Sequence, residues 1–580
     1  MRQNSLVKVP DESNKITRRT IKDATYIYYE VGRTYSAERQ YTTVTRKTIG
    51  KAFPEDNRLM YPNQNYFTLF PNESTQETPT EFDRSSCMKV GANLIIDKIL
   101  NDSRLTEILS ECFSCDDLGL LLDLVSYTLI AENNAGQYYP EYAFNHSLHS
   151  KKMHIYSDSK VSSFLHSITD NQRIKFLELW NKYRDHQNSI YISYDSTNKS
   201  CQAGDIEIVE FGKPKVDEGH PIFNYAIAYD TYNREPLFYE EYPGSINDIS
   251  QFQFTLEKVK AYGYSGIGFI LDRGYFSKAN IEAMDRGNYE FVIMLKGMAA
   301  LVKNLVQTAM GTFENNRECY VPHYKIYGTT VKGKLFENDT KLRYFHIFYR
   351  ESAGAKAREN IDDTIEKLSA YLKKQEFAAN EPFSYPFTHY FNLYYDENDG
   401  SFLGFTEKAD VIEEERKFCG YFVLVTSRKM TAQQAISIYK NRDSSEKLFS
   451  GDKSYLGNKS VRNYTNESVS AKIFVEFIAL IVRSKIYTSL KDEMLRNHDK
   501  ANYMTVPAAI KELEKIEMIK MPDQVYRLDH AVTATQKAIL SAFGLDDKYI
   551  KKKAPIVNER LLGVDFYTKG NMQNGKDKKV

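Results

Sequence analysis

The feature that most limits how this chain can fold lies between residues 188 and 296. "SIYISYD" (189–195), "FNYAIAYD" (223–230) and "EPLFYEEY" (235–242) read as strands, the second and third joined by the turn "TYNR". "DISQFQFTLEKVKAYG" (248–263) then reads as a helix stopped by glycine, and "GIGFILD" (266–272) as a short buried strand. "SKANIEAM" follows as a helix capped by Ser277, and "YEFVIML" (289–295) as another strand. Three strands followed by alternating helix and strand indicate a mixed α/β domain. Asp195 ends the first strand and Asp272 the fourth. In an open α/β sheet, ligands collect at strand ends where the strand order reverses.

The flanking segments differ in kind. Residues 25–51 alternate Tyr, Ile, Val and Thr with polar residues and predict two strands around a turn near Gly32, the second ending in basic "TRKTIGK". Residues 52–85 are rich in Pro, Asn, Ser and Thr and read as a linker. The expected organisation is an N-terminal β-hairpin and basic region (1–85), a helical region (86–180) and the first part of the α/β core (181–296). A β-rich insertion (297–420), the second part of the core (421–495) and a helical C-terminal region with a basic tail (496–580) complete it. The apolar run "IFVEFIALIV" (473–482) is ten residues long and contains Glu476, which suits a buried helix and not a membrane span.

Composition narrows the class. Lys plus Arg and Asp plus Glu both number 77, but their placement is uneven. Residues 1–60 carry twelve basic and seven acidic side chains, residues 541–580 nine and five, and the middle therefore sums to −9. Basic ends around an acidic centre fit a polyanion held by flanking regions around a working carboxylate cluster; they also fit two solvated tails. Six cysteines are too few for a disulfide framework and suggest a reducing, cytoplasmic compartment. His146, His149 and His154 lack the spacing of a metal site.

"TAQQAISIYKNRDSSEKLF" opens with Thr431 and Gln434, a capping box, and so predicts a helix. At about 100° per residue, Tyr439, Arg442 and Glu446 share one face of it, with Lys453 on the following turn. A solvated face with charge pairs is the plain interpretation. The chemical one joins Glu446 to Asp195 and Asp272. Two neighbouring aspartates repel each other and call for a cation, and hard carboxylate oxygens select Mg²⁺. A third carboxylate completes a site for two ions about 3.5–4 Å apart that can act on a phosphodiester. Arg442 can fork onto phosphate oxygens, Lys453 can add a point charge, and Tyr439 can donate its hydroxyl or stack on a base.

With these residues in view, the sequence resembles the DDE transposases of bacterial insertion sequences, in the group marked by the YREK signature. Tyr439, Arg442, Glu446 and Lys453 match that signature completely. "YDSTN" around Asp195 and "ILDRGYFSKANIEAM" around Asp272 resemble the two aspartate segments of the group. "PLFYEEYPGSINDISQF", "CGYFVLVTSRKMTAQQAISIYKNRD", "YTTVTRKTIGK" and "VPAAIKELEKI" extend the likeness over most of the chain.

The resemblance implies an RNase H-like mixed-sheet core interrupted by a β-rich insertion, with Asp195, Asp272 and Glu446 as catalytic metal ligands. It implies two Mg²⁺ ions, with Mn²⁺ as a substitute, nicking at the terminal inverted repeats of the element, and joining to target DNA. The expected partner is double-stranded DNA, bound by a homodimer that is nucleoid-associated in a bacterial cytoplasm, with no membrane involved. Tyr439, Arg442, Lys453, Arg46, Lys47 and Lys51 are the expected DNA contacts. Many relatives form a hairpin intermediate in which an aromatic side chain holds a flipped base. The only tryptophan, Trp180, precedes the first aspartate, which leaves Tyr275 or an aromatic residue of the insertion for that part. Two other functions use the same fold: a metal-dependent endonuclease without strand transfer, and a non-catalytic DNA-binding regulator.

Overall fold

A computed structural model describes residues 7–12, 14–21, 24–36, 41–53, 56–70, 84–184, 190–201, 206–212, 219–264, 266–295, 298–374, 383–443, 460–461, 465–498, 504–522 and 525–561. The chain divides into two compact units, Met1–Ser86 and Cys87–Val580.

The first unit is a five-stranded antiparallel sheet in the order β1-β5-β4-β3-β2. Its strands are β1 (Val7–Lys8), β2 (Ile16–Ile21), β3 (Ala24–Ser36), β4 (Tyr41–Ala52) and β5 (Leu59–Pro62), followed by helix α1 (Gln64–Leu69). Ile27, Tyr29, Ile49, Met60 and Tyr66 form its core. Gly32 does not turn the chain. It lies inside β3 beside a bulge, and Ser36 pairs with Tyr41, so the hairpin reverses later than the sequence suggested. The expected linker at 52–85 holds β5 and α1. Asn63 caps that helix by accepting from the amides of Asn65 and Tyr66, a polar side chain serving structure and not a linker.

The second unit begins with β6 (Cys87–Lys89) and six helices: α2 (Gly91–Asp102), α3 (Leu105–Cys112), α4 (Cys115–Ile130), α5 (Tyr139–Asn145), α6 (Asp158–Ser167) and α7 (Asp170–Lys182). The central sheet follows with β7 (Tyr191–Cys201), β8 (Ile222–Asp230), β9 (Glu235–Pro243), helix α8 (Asp248–Ala261), β10 (Gly268–Leu271), helix α9 (Lys278–Arg286) and β11 (Glu290–Met294). Strands β7, β8 and β9 pair antiparallel, while β10 runs parallel to β7 and β11 parallel to β10.

Next come helix α10 (Ala299–Ala309), β12 (Tyr320–Val321), β13 (Ile326–Lys334), β14 (Leu342–Tyr349), α11 (Glu351–Lys373), α12 (Tyr385–Tyr390), β15 (Phe391–Tyr395), β16 (Phe402–Glu407) and α13 (Ala409–Phe418). This segment is not the β-rich insertion that the sequence suggested. It carries more helix than strand among the described residues. Its strands β12–β14 join the central sheet through β17 (Tyr421–Thr426), which pairs with both β11 and β14. The excess of helix comes from α10, α11, α12 and α13; of these α12 is the aromatic stretch "YPFTHY", where β-propensity yields to context. Residues 351–418 carry fifteen acidic and eight basic side chains, so most of the acidic excess of the middle sits here.

The chain closes with α14 (Ala432–Lys440), β18 (Ser460–Val461), α15 (Asn466–Arg496), α16 (Val506–Leu513), β19 (Glu517–Lys520), β20 (Tyr526–Leu528), α17 (Ala534–Ser541) and α18 (Asp547–Leu561). The central sheet has ten strands among the described residues, in the order β12-β13-β14-β17-β11-β10-β7-β8-β9, with β18 against β7. The C-terminal region is not wholly helical: β19 and β20 form a hairpin that pairs with β6. Helix α15 is buried along most of its length, and no helix among the described residues is long and apolar enough to cross a membrane.

Candidate active site

The register of the central sheet brings the two aspartates together. Leu271 of β10 stands opposite Tyr194 of β7, so Asp272 and Asp195 are the next pair along, on strands about 4.8 Å apart. Asp195 does not end its strand, as the sequence suggested. β7 continues to Cys201 against β8, with Asp195 opposite Ile227. The strand that ends is β10. Its departure after Leu271 leaves one edge of β7 open beside Asp195, and both carboxylates remain half-exposed.

Side-chain alternation puts both acids on the face that α14 covers. Asp272 shares its direction with Ile270, which packs against Ile436 and Tyr439 of α14. Helix α14 forms as its motif requires: Thr431 accepts from the amide of Gln434, and the Gln434 side chain returns to the amide of Thr431. The helix ends at Lys440, so Arg442 lies just beyond its C-terminus and not in its body. Nη1 of Arg442 lies 2.9 Å from Oδ1 of Asp272, an ion pair, and its guanidinium lies 5.5 Å from the centre of the Tyr439 ring. Arg442 therefore stands on a carboxylate of the site, where the sequence reading had put phosphate. Tyr439 is 5% exposed and packed in the core, so its ring cannot stack on a base; it shelves the guanidinium. Glu446 and Lys453 lie outside the described residues. The described chain resumes at β18, whose Ser460 pairs with Ser200, five residues beyond Asp195 on β7.

The same face of β7 continues into a buried polar cluster that sequence reasoning missed. Lys199 Nζ lies 3.1 Å from Oε2 of Glu476 on α15 and 4.6 Å from the centre of the Tyr225 ring. Asn134 donates to the other oxygen of Glu476 at 2.8 Å. A lysine in a strand pattern gives no local signal that its partner comes 277 residues later. Trp180 is buried and donates Nε1–H to the carbonyl of Pro236. Tyr275 is 2% exposed, between Tyr194 and Phe252, which removes it as a base-holding side chain. His146 and His149 are buried against Glu514 and Asp97. Burial lowers the pKa of His149. No cluster of three His, Cys, Asp or Glu side chains among the described residues could hold a metal ion.

Residues 192–482 match the family described as a transposase DDE domain, a span that covers half of the 580-residue chain. The chain belongs to this transposase family. The span of the transposase domain runs from β7 to α15 and contains Asp195, Asp272, Tyr439, Arg442, Glu446 and Lys453. Among solved structures, the chain is similar to the piggyBac transposase in a cryo-EM structure of its synaptic complex with hairpin DNA. That likeness has 8% identity and a TM-score of 0.30, and covers 80% of this chain and 86% of the other. It is also similar to the Mos1 transposase in a paired-end complex with the left transposon end, at 15% identity and a TM-score of 0.13. That match covers 23% of this chain and 50% of the other. No curated protein matches the sequence.

The sequence grouped Arg46, Lys47 and Lys51 of the first unit as DNA contacts, and the sheet separates them. Lys51 stands opposite Tyr26 and Arg46 opposite Glu30, on the outer face. Lys47 stands opposite Tyr29, a core residue, and so belongs to the other face.

Proposed function

We propose that this transposase-family chain is a cut-and-paste enzyme of the YREK group. It binds the terminal inverted repeats of an insertion sequence, cleaves phosphodiester bonds with Mg²⁺, and joins the ends to target DNA. The observation that carries this reading is the placement of Asp195 beside Asp272 where β10 departs from β7, with Arg442 on the same face. Strand order β9-β8-β7-β10-β11, with the last two parallel to β7, supports an RNase H-like core.

Asp195, Asp272 and Glu446 are the proposed metal ligands. Two half-exposed carboxylates on adjacent strands offer the hard oxygen donors that Mg²⁺ takes, and the Arg442 guanidinium already supplies the positive charge that Asp272 attracts. Glu446 is four residues beyond Arg442, within about 14 Å of extended chain. When bound, a pair of Mg²⁺ or Mn²⁺ ions would activate water on one side of the phosphorus and stabilise the leaving oxygen on the other. Arg442, released from Asp272, would fork onto the phosphate at the cut, with Tyr439 beneath it and Lys453 adding a point charge. A groove of about 680 Å³ lined by Tyr320, Lys332, Tyr344 and Lys429 offers aromatic and basic groups near the N-terminus of α14. It is the proposed place for a flipped base if a hairpin forms.

Met1–Ser86 is the proposed end-recognition unit, and a homodimer on DNA the working form. The test uses a duplex carrying the DNA that flanks this reading frame, a supercoiled target plasmid and Mg²⁺. Cutting at the element ends followed by joining of their 3′-OH groups to the plasmid is the expected result. Cutting without joining would make the chain an endonuclease, and binding with neither would make it a regulator.

A further inference from the structure

In the first unit, the helix among the described residues covers one face of the sheet. Helix α1 and Phe70 pack with Ile27, Tyr29, Ile49 and Met60 on the inner face. Among the described residues of the unit, no helix covers the outer face. Register and alternation define what that face presents. Arg19 on β2, Tyr26 on β3, Lys51 on β4 and Tyr61 on β5 stand opposite one another in a single row across four strands. The next row is Thr17, Tyr28 and Thr48. The Arg19 guanidinium lies 5.8 Å from the centre of the Tyr28 ring, which holds it over the face.

Charge selects the occupant. Beside Arg19, Lys51 and Arg46, the acid of these central rows is Glu30, and Glu30 is itself paired with Arg33. A face of cations separated by tyrosines and threonines suits a polyanion with hydrogen-bonding groups between its charges. Spacing selects the form of the polyanion. Arg19 and Lys51 are two strand intervals apart, about 10 Å, with Tyr26 between them. A B-DNA major groove is about 12 Å wide and admits a β-ribbon.

We propose that this outer face lies in the major groove of duplex DNA, with Arg19 and Lys51 on the phosphates that border the groove and Tyr26 and Tyr28 directed into it. The inference rests on the reading of Met1–Ser86 as the DNA-end-binding unit. It replaces the linear cluster of Arg46, Lys47 and Lys51 by a face from which Lys47 is absent.

The experiment measures binding of the full-length chain to a fluorescein-labelled, mixed-sequence duplex of about 30 base pairs, by anisotropy between about 50 and 300 mM KCl. The double variant R19Q/K51Q should flatten the slope of log affinity against log salt by about 1.8, from two phosphate contacts at about 0.9 each. R18Q/K47Q removes the same charge from the opposite face and should leave the slope unchanged. An equal loss in both variants would overturn the assignment to the outer face while leaving the unit a DNA binder. Binding of a single strand of the same length with equal affinity would overturn the groove assignment. A full-length chain with Arg18, Arg19, Arg46, Lys47 and Lys51 all changed to Gln that kept the wild-type slope would overturn the reading of the unit itself.

Discussion

Two ion pairs lie on one face of the central sheet and have opposite surroundings. Arg442 and Asp272 meet at 2.9 Å with side chains 16% and 39% exposed. Lys199 and Glu476 meet at 3.1 Å with 0% and 1% exposed. Lys199 is four residues along β7 from Asp195, so the same strand leads from one pair to the other. Attraction between unit charges is similar at such distances, and burial makes the difference. The exposed pair contributes about 0–1 kcal/mol and can be exchanged for another partner at little cost. The buried pair holds charges that cannot return to water, so removal of one strands the other. One pair is therefore suited to a site that must open, and the other to joining α15 to β7.

The largest effect expected is on catalysis at the exposed end. Asp195→Asn or Asp272→Asn should reduce cleavage on the order of 10⁴-fold, about 5 kcal/mol of barrier, with the midpoint of urea unfolding nearly unchanged. Lys199→Met should do the reverse. It should cost about 3–5 kcal/mol of stability by leaving Glu476 buried without its cation, read as a lower urea midpoint. If Lys199→Met unfolds with the wild-type midpoint, the contrast between the pairs is wrong.

Arg442→Ala separates the two roles within one residue. Stability should change by about 0–1 kcal/mol, while single-turnover cleavage falls by about 2–4 kcal/mol, as for loss of one preorganised electrostatic donor. Arg442→Lys should restore only part of the rate, since a point charge lacks the bidentate fork. The smallest effect concerns a buried group that stays neutral. His346 lies between the hydroxyls of Thr330 and Thr426 at 2.9 and 3.0 Å, and burial lowers its pKa to about 4. Unfolding returns it to an ordinary value near 6.5, so the unfolded chain binds the extra proton between pH 6.5 and 4. Its contribution is complete above pH 6.5 and falls by about 2 kcal/mol at pH 5. His346→Gln should flatten the stability profile over that window; an unchanged profile would show that His346 is not the group responsible.

The chain of strands and helices was legible where alternation was clean. β8 runs from Ile222 to Asp230 and β9 from Glu235 to Pro243, within a residue of the apolar pattern. β7 was read too short because Ser196, Thr197 and Lys199 are polar yet buried, and the groups that permit this come from distant elements. The same limit hid the Arg442–Asp272 pair, whose members are 170 residues apart, and the outer-face row of the first unit, which depends on cross-strand register. Residue types and spacing put Asp195 and Asp272 forward as a pair, and the register sets them on adjacent strands. Types and spacing did not convey that β7 runs past Asp195, or that the Tyr439 ring belongs to the core.

The central claim is that Asp195, Asp272 and Glu446 together cut DNA with a divalent metal. The most direct measurement is single-turnover cleavage, with Mg²⁺, of a duplex carrying the DNA that flanks this reading frame. Wild type is compared with Asp195→Asn, Asp272→Asn and Glu446→Gln, each first shown to bind the duplex. The account predicts cutting at the element ends by the wild type alone, and none when the metal is chelated. Cutting at the same position by any of the three variants, at a rate within about tenfold of wild type, would contradict it.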